Sequence, residues 1–454
     1  MKIKSRNDDV QVKKETYFEQ VNLCAAGIDI GSESHYVAVP TALDEQPVRQ
    51  FSCFTGDLER MADWLIKIGV QSVAMESTGI YWIPAFEILE ERGLKVLLVN
   101  AHQIKNVPGR KTDVLDCQWI QQLHTFGLLT GAFRPPEQVV VFRSYVRQRE
   151  MLVRSAATHI QHMQKALRQM NLLLDNVVSD IIGKTGMLII RDIVSGERDA
   201  EKLSQHRHGR CHKSEAQIAR SLQGNYREEH LFSLRQALEL YDIYQQKIAD
   251  CDQAIEHQLE DFDELIAEKD LVRNKAGKPR KSSSSPAFDA RHQLHRIAGV
   301  DLTRVDGLDE MSVLNILSET GIDMSYWKNE KYFSSWLSLC PGSKISGGKV
   351  LSAKTKASAN RAANALRLAA RSLANSKSAL GGFYRRIRSR LGAPKAITAT
   401  AHKLARIIYS MLKTQTEYID PGQDYYEQQY RDRVLKNLRK RASQLGFELI
   451  AQPE

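Results

Sequence analysis

Four carboxylates and one hydroxyl in this chain have types and settings that suit phosphoryl transfer. Asp29 lies in GIDIG, inside an apolar strand-like run, and Glu76 lies in QSVAMEST at the end of another. A carboxylate in such a run is expensive to bury without a partner or a metal. Asp113 and Asp116 are three residues apart in TDVLDCQW, so a helix would put both on one face. Taken singly, each acid reads more simply as a turn or cap residue. As a set they supply oxygen ligands for one or two Mg²⁺ ions, the means by which metal sites polarise a scissile phosphate and stabilise the developing oxyanion. The hydroxyl belongs to PGSKISGGK (341–349), which offers Ser343 and Ser346. A glycine-rich loop lets a phosphate approach the backbone closely, and Lys344 and Lys349 would neutralise it. A loop serine is ordinarily a turn residue, and it is a weak nucleophile unless activated.

Charge indicates what such groups would act on. The 454 residues hold 64 Lys or Arg against 54 Asp or Glu, a net of +10. The excess is local: from Lys331 to Thr416, 86 residues carry 17 basic side chains and no acidic one, leaving the rest at −7. A surface kept only for solubility mixes signs, whereas a stretch cleared of carboxylates suits a polyanion, above all nucleic acid. FYRRIRSRLG places Arg385, Arg386, Arg388 and Arg390 within six residues as phosphate contacts. Lys105, Arg110 and Lys111 flank the start of the acidic helix and would hold a DNA backbone beside the metals; solvated charge is the plainer alternative. HRHGRCH (206–212) has zinc-like composition, but ligands so close together cannot easily all reach one tetrahedral ion, and a flexible cationic loop is the better reading. Tyr81-Trp82 reads as core before it reads as a base-stacking pair, and GVDLTRVDG resembles a helix-hairpin-helix turn.

The elements that must position these groups follow from periodicity. LCAAGIDIGSESHYVAVP reads as two strands around a turn, VRQFSCF as a third, and QSVAMEST and KVLLVN as buried strands. Helices are expected over 57–69, 83–93 and 112–126, the last with Thr112 as N-cap. Three adjacent strands followed by alternating helices and strands predict an α/β domain with a mixed sheet. After Pro135-Pro136 a long basic helical pattern begins, and a second runs from about Glu215 to Asp270, together suggesting an antiparallel coiled-coil arm. The expected organisation is a flexible N-terminus (1–20), the α/β domain (21–135), the helical arm (136–272), a Ser/Lys/Pro-rich linker (273–290), a mostly helical domain carrying the serine loop (291–416) and a basic tail helix (417–454). No apolar run reaches the ~18–20 residues a membrane helix needs, and the N-terminus has no secretory pattern. None of the six cysteines forms a Cys-x-x-Cys pair. Together these predict a reduced, cytoplasmic setting.

MESTGIYWIP, VNAHQIKNVPGRKTDVLDCQW and GLLTGAFRPP closely resemble the DEDD transposases of the one-ten class of insertion sequences, in the one-eleven-eleven subgroup. SWLSLCPGSKISGGKVLS, preceded by HRIAGVDLTRVDGL, is similar to the C-terminal transposase domain of that class. The resemblance covers roughly residues 22–450, and the class is related to Piv-type DNA invertases. It implies a RuvC-like, ribonuclease-H-type first domain with Asp29, Glu76, Asp113 and Asp116 as its Mg²⁺-binding tetrad, and Ser346 as nucleophile with Ser343 as fallback. It further implies a 5′-phosphoserine intermediate, Holliday-junction-like exchange, and composite sites in a dimer-to-tetramer assembly. A structured bridge RNA pairing with target and donor DNA is implied as guide, and association with the bacterial nucleoid when bound.

Other function classes fit less well. GIDIGSES loosely matches the first phosphate loop of actin-like ATPases, but no second Asp-Gly-rich loop follows and the helix acids would have no task. A non-catalytic nucleic-acid scaffold would not need all four acids and the serine. The main alternative is a Holliday-junction-type structure-selective nuclease, which uses the tetrad without covalent serine chemistry; strand exchange surviving loss of Ser346 would favour it.

Overall fold

The computed structural model describes residues 19–100, 104, 112–266, 271 and 285–450. The expectations placed on residues 1–18, on most of the linker and on Lys105, Arg110 and Lys111 lie outside the described residues. The chain divides into two compact units, Met1–Arg134 and Pro135–Glu454.

The first unit is built on one mixed sheet of β1 (Ala25–Ile30), β2 (Ser34–Ala38), β3 (Val48–Ser52), β4 (Ser72–Glu76) and β5 (Lys95–Val99), in the order β3-β2-β1-β4-β5. β1, β2 and β3 run antiparallel, whereas β1, β4 and β5 are parallel. The β1–β2 turn is tight: the Gly31 N–H donates to the Ser34 carbonyl at 3.1 Å, and a Cβ on Gly31 would lie 2.5 Å from that oxygen. Both faces of β1 and β4 are covered, which is why they read as unbroken apolar runs. On one face Ile28 and Met75 share a core with Leu58, Met61 and Leu65 of α1 (Thr55–Lys67) and Phe86 and Leu89 of α2 (Trp82–Glu91). On the other, Ala74 and Val99 pack with Ile120 of α3 (Asp113–Thr125). This mixed sheet with its helices is the expected α/β layout and is consistent with a ribonuclease-H-type arrangement.

The second unit is mostly helical. Two helices of 33 residues, α4 (Glu137–Gln169) and α8 (Glu228–Glu260), lie side by side. Arg149 meets Asp252 and His159 stacks on Tyr244, so the pair is antiparallel. Between them in sequence, α5 (Lys184–Ser195), α6 (Ala200–Ser204) and α7 (Glu215–Ser221) close on the same apolar core. The helical stretch expected from Glu215 onward is broken before α8, because the chain turns at Gly224 against Met170, where a Cβ would come within 2.2 Å of a carbonyl oxygen. Next come α9 (Ala290–Ala298), α10 (Glu310–Thr320) and α11 (Glu330–Trp336). A hairpin follows, β6 (Lys344–Ser346) with β7 (Lys349–Ser352), then α12 (Arg361–Ser372), α13 (Ala379–Leu391), α14 (Ala393–Thr414) and α15 (Gln423–Gln444). The Arg147 guanidinium binds both carboxylate oxygens of Glu319 at 2.7 Å and so fastens α10 to α4. Among the described residues no helix is long and apolar enough to cross a membrane, and the six cysteines are free.

Candidate active site

β1 and β4 are parallel neighbours whose register pairs Gly27 with Ala74 and Ile28 with Met75, which carries Asp29 to the level of Glu76. Side chains alternate along a strand, so Gly27, Asp29, Ala74 and Glu76 share the sheet face on which α3 packs. Gly27 is the reason α3 lies so close. A Cβ there would be 2.2 Å from the Gln121 backbone nitrogen and 2.5 Å from the Cys117 carbonyl oxygen, so any side chain would push the helix off β1. Thr112 caps α3, its hydroxyl accepting from the Leu115 N–H at 3.4 Å. Asp113 and Asp116 fall in the first turn, where the helix dipole favours negative charge.

Glu76 is buried and its Oε1 accepts a 2.8 Å hydrogen bond from the Thr78 hydroxyl. Asp29 is half-buried, Asp116 is partly covered and Asp113 is exposed. The Asp29 carboxyl is pushed up to about 6, first by burial and then by repulsion from Asp113, Asp116 and Glu76. Glu76, Asp113 and Asp116 therefore each lie within electrostatic reach of Asp29. Beneath them the buried Cys117 thiol donates to the Val114 carbonyl at 3.1 Å and is pushed up to about 12 by burial, with Asp29 as the next cause. Sequence reasoning singled out neither Cys117 nor Thr78, although each lies within two residues of a selected acid.

Among the described residues no three His, Cys, Asp or Glu side chains form a ready-made metal cage. Mg²⁺ does not require one, since it keeps several waters and is usually held by only one or two carboxylates. A hard-oxygen donor set whose members raise the Asp29 carboxyl by like-charge repulsion fits such an ion in chemistry and charge.

The serine loop, expected as irregular, is a β-hairpin. Ser346 pairs with Lys349, and Gly347 and Gly348 form the two-residue turn with φ of 53° and 75°. Two successive positive φ values fit a type I′ turn, which suits glycine at both positions. Ser343, Lys344, Ser346 and Lys349 are all exposed, and the Ser346 hydroxyl has no hydrogen-bond partner among the described residues. Pro341 bridges Thr355 at the hairpin's base, and the Gly342 N–H donates to the Lys354 carbonyl at 2.9 Å.

The arginine run divides. Arg385 donates to the Ala374 and Ser376 carbonyls at 3.1 and 2.6 Å and to the Gln423 side chain at 2.6 Å. Arg386 lies over Tyr426 and Tyr430, 4.9 and 3.8 Å from the ring centroids. Both thus join α13 to α15, whereas Arg388 and Arg390 are exposed. Tyr81 is exposed, and Trp82 packs edge-on to Phe86 at the margin of the core.

Residues 26–172 match a family model described as a transposase, the DEDD domain of the IS110 type. Residues 300–385 match a model described as the transposase of the IS116/IS110/IS902 family. The first stretch contains all four carboxylates and the second contains the hairpin with Ser346; together they span 233 of the 454 residues. No curated protein matches the chain.

Proposed function

The chain belongs to the IS110/IS116 transposases, enzymes that recombine DNA, and from that premise we propose that it breaks and rejoins strands by serine chemistry served by a magnesium-binding carboxylate set. The observation that carries this reading is the crowding of Asp29 by Glu76, Asp113 and Asp116 on one face of the sheet, within the stretch matching the DEDD model. Those four residues would hold Mg²⁺, and the ion, when bound, supplies charge neutralisation at the scissile phosphate.

In the proposed reaction the Ser346 Oγ attacks a backbone phosphorus. An Oγ–P bond forms, the P–O3′ bond breaks, the serine proton passes to a base, and the departing 3′ oxygen takes up a proton. The resulting 5′-phosphoserine conserves the bond energy, and the 3′-hydroxyl of a second strand reverses the step. The exposed hairpin supports this role, since it presents the hydroxyl free of internal hydrogen bonds and flanked by Lys344 and Lys349. The proposal extends to a homo-oligomer, dimer to tetramer, to kinship with Piv-type invertases, and to a cytoplasmic enzyme that gathers at the nucleoid when bound. It includes guidance by a structured bridge RNA that pairs with target and donor DNA, so that base pairing carries sequence choice and the protein reads backbone shape. The motif resemblance and the carboxylate-free basic stretch support these parts.

The test is to stop a recombination reaction in denaturant and look for protein joined to DNA. An adduct that nuclease digestion trims to a small mass on the 341–349 peptide, absent in Ser346→Ala, is the expected result. Normal strand exchange by Ser346→Ala, with no adduct in either protein, would replace this reading with the structure-selective nuclease.

A further inference from the structure

The loop carrying HRHGRCH is held in place rather than loose. The Thr185 hydroxyl donates to the His206 carbonyl at 3.2 Å and accepts from the His208 N–H at 3.0 Å. Arg207 donates to the carbonyls of Lys213 and Cys211 at 2.7 and 2.9 Å, and His206 Nε2 meets Asp192 at 2.5 Å. Pinned this way, the loop closes over the start of α5 and forms one wall of a cavity of about 480 Å³. Lys184, Arg210 and Lys213 line that cavity, with His208 and His212 beside them. None of the three cations has a carboxylate partner among the described residues. The acid on the wall, Asp180, accepts from the Ile182 N–H at 3.0 Å and so belongs to the turn before α5. Three unpaired positive charges repel a metal ion, and no metal-binding cluster occurs among the described residues.

We propose that this cavity is a second nucleic-acid contact, taking a backbone phosphodiester between Lys184, Arg210 and Lys213. The cavity and its converging cations carry the inference. Arg offers a planar fork to two phosphate oxygens and Lys a point charge, a set suited to phosphate and to no apolar ligand. The uncapped first turn of α5, which Gly183 precedes without a side-chain bond, adds N–H donors on the same wall. This site lies in the stretch between α4 and α8, away from the basic run at 331–416, so its binding would be additional to that run's. The inference rests on the reading of the chain as an enzyme of nucleic acids.

The test uses the full-length chain with Lys184→Gln, Arg210→Gln and Lys213→Gln combined, and with each alone should the triple variant fold poorly. Binding of a 30-base-pair duplex and of an RNA hairpin is measured against salt. Each lost phosphate contact lowers the slope of log affinity against log salt by about 1, so the triple variant should lose up to about three units of slope on at least one probe. Unchanged affinity and slope on both probes would overturn the proposal. So would a cavity that binds only inorganic pyrophosphate, read as a thermal shift lost in the variant while nucleic-acid binding stays intact. Failure of the unmodified chain to bind either probe would instead strike the reading of the chain itself. Recombination chemistry at Ser346, assayed separately, distinguishes the two.

Discussion

Asp29 concentrates what a single residue can show. Its carboxyl is raised by burial and by three like charges, so a neutral side chain of the same shape relieves repulsion. Asp29→Asn should therefore unfold at the same temperature as the parent or slightly above it, yet give no detectable DNA cleavage. Cleavage at the parent's rate would remove Asp29 from the chemistry. The acids were legible in the sequence because a carboxylate ending an apolar strand is costly and conspicuous. Cys117 was not, because nothing in DVLDCQW says that its side chain lies under the acids while Asp113 stays in solvent. Its thiol is raised to about 12, so almost none of it is thiolate at pH 8, and it is buried, whereas Cys53 is exposed. A brief treatment with iodoacetamide at that pH, read by peptide mass, should label Cys53 and spare Cys117 until the chain is denatured. Equal labelling of both would show that α3 is not seated on β1 as described.

At the scale of elements, positions are set by contacts that sequence patterns do not record. Strands and helices of the first unit follow from alternation and spacing, but the closeness of α3 to β1 depends on Gly27 meeting a backbone some 90 residues later. Gly27→Ala should cost about 1–3 kcal/mol by overpacking and should also lower cleavage, because it displaces the helix bearing Asp113 and Asp116. Thermal unfolding and a cleavage assay together check this, and a variant with full activity would show that the acids need no fixed seat. The β6–β7 hairpin carried a signal that was passed over: two glycines between KIS and KVLS mark a two-residue turn. The α4–α8 pair hides a different surprise. Arg149 and Asp252, 1% and 4% exposed, form an ion pair inside what reads as a long basic helix. Asp252 also accepts from the Ala287 N–H at 3.1 Å. Asp252→Asn breaks this buried ion pair from one side and should cost about 3–5 kcal/mol, whereas Arg149→Met with Asp252→Leu should cost far less. Denaturant unfolding of the two variants gives the comparison, and equal losses would show that the pair matters for packing alone.

For the whole molecule the controlling quantity is the uneven distribution of charge, and structure changes how that charge must be counted. Sequence alone treats Arg385, Arg386, Arg388 and Arg390 as four equivalent phosphate contacts. In the folded chain Arg385 satisfies two carbonyls after α12 and the Gln423 amide, and Arg386 is enclosed by Tyr426 and Tyr430. These two arginines hold α15, a helix with no buried residue of its own, against α13. Contacts with residues some 40 positions away are invisible to a local reading of RRIRSR. Arg388 and Arg390 remain exposed and available to a polyanion. The two pairs should therefore separate in experiment. Arg388→Gln with Arg390→Gln should lower the slope of log affinity against log salt by up to about two units, with the melting temperature unchanged. Arg385→Gln with Arg386→Gln should instead destabilise the attachment of α15, because the Gln423 side-chain oxygen and the Tyr426 and Tyr430 rings lose their partners, each contact worth on the order of 1 kcal/mol. Its first sign would be faster amide exchange and proteolysis across 423–444, with a smaller change of salt slope than the exposed pair gives. Equal slopes for the two double variants would mean that α15 releases Arg385 and Arg386 of α13 to nucleic acid on binding, and the contacts between α13 and α15 would then belong to the unbound enzyme alone.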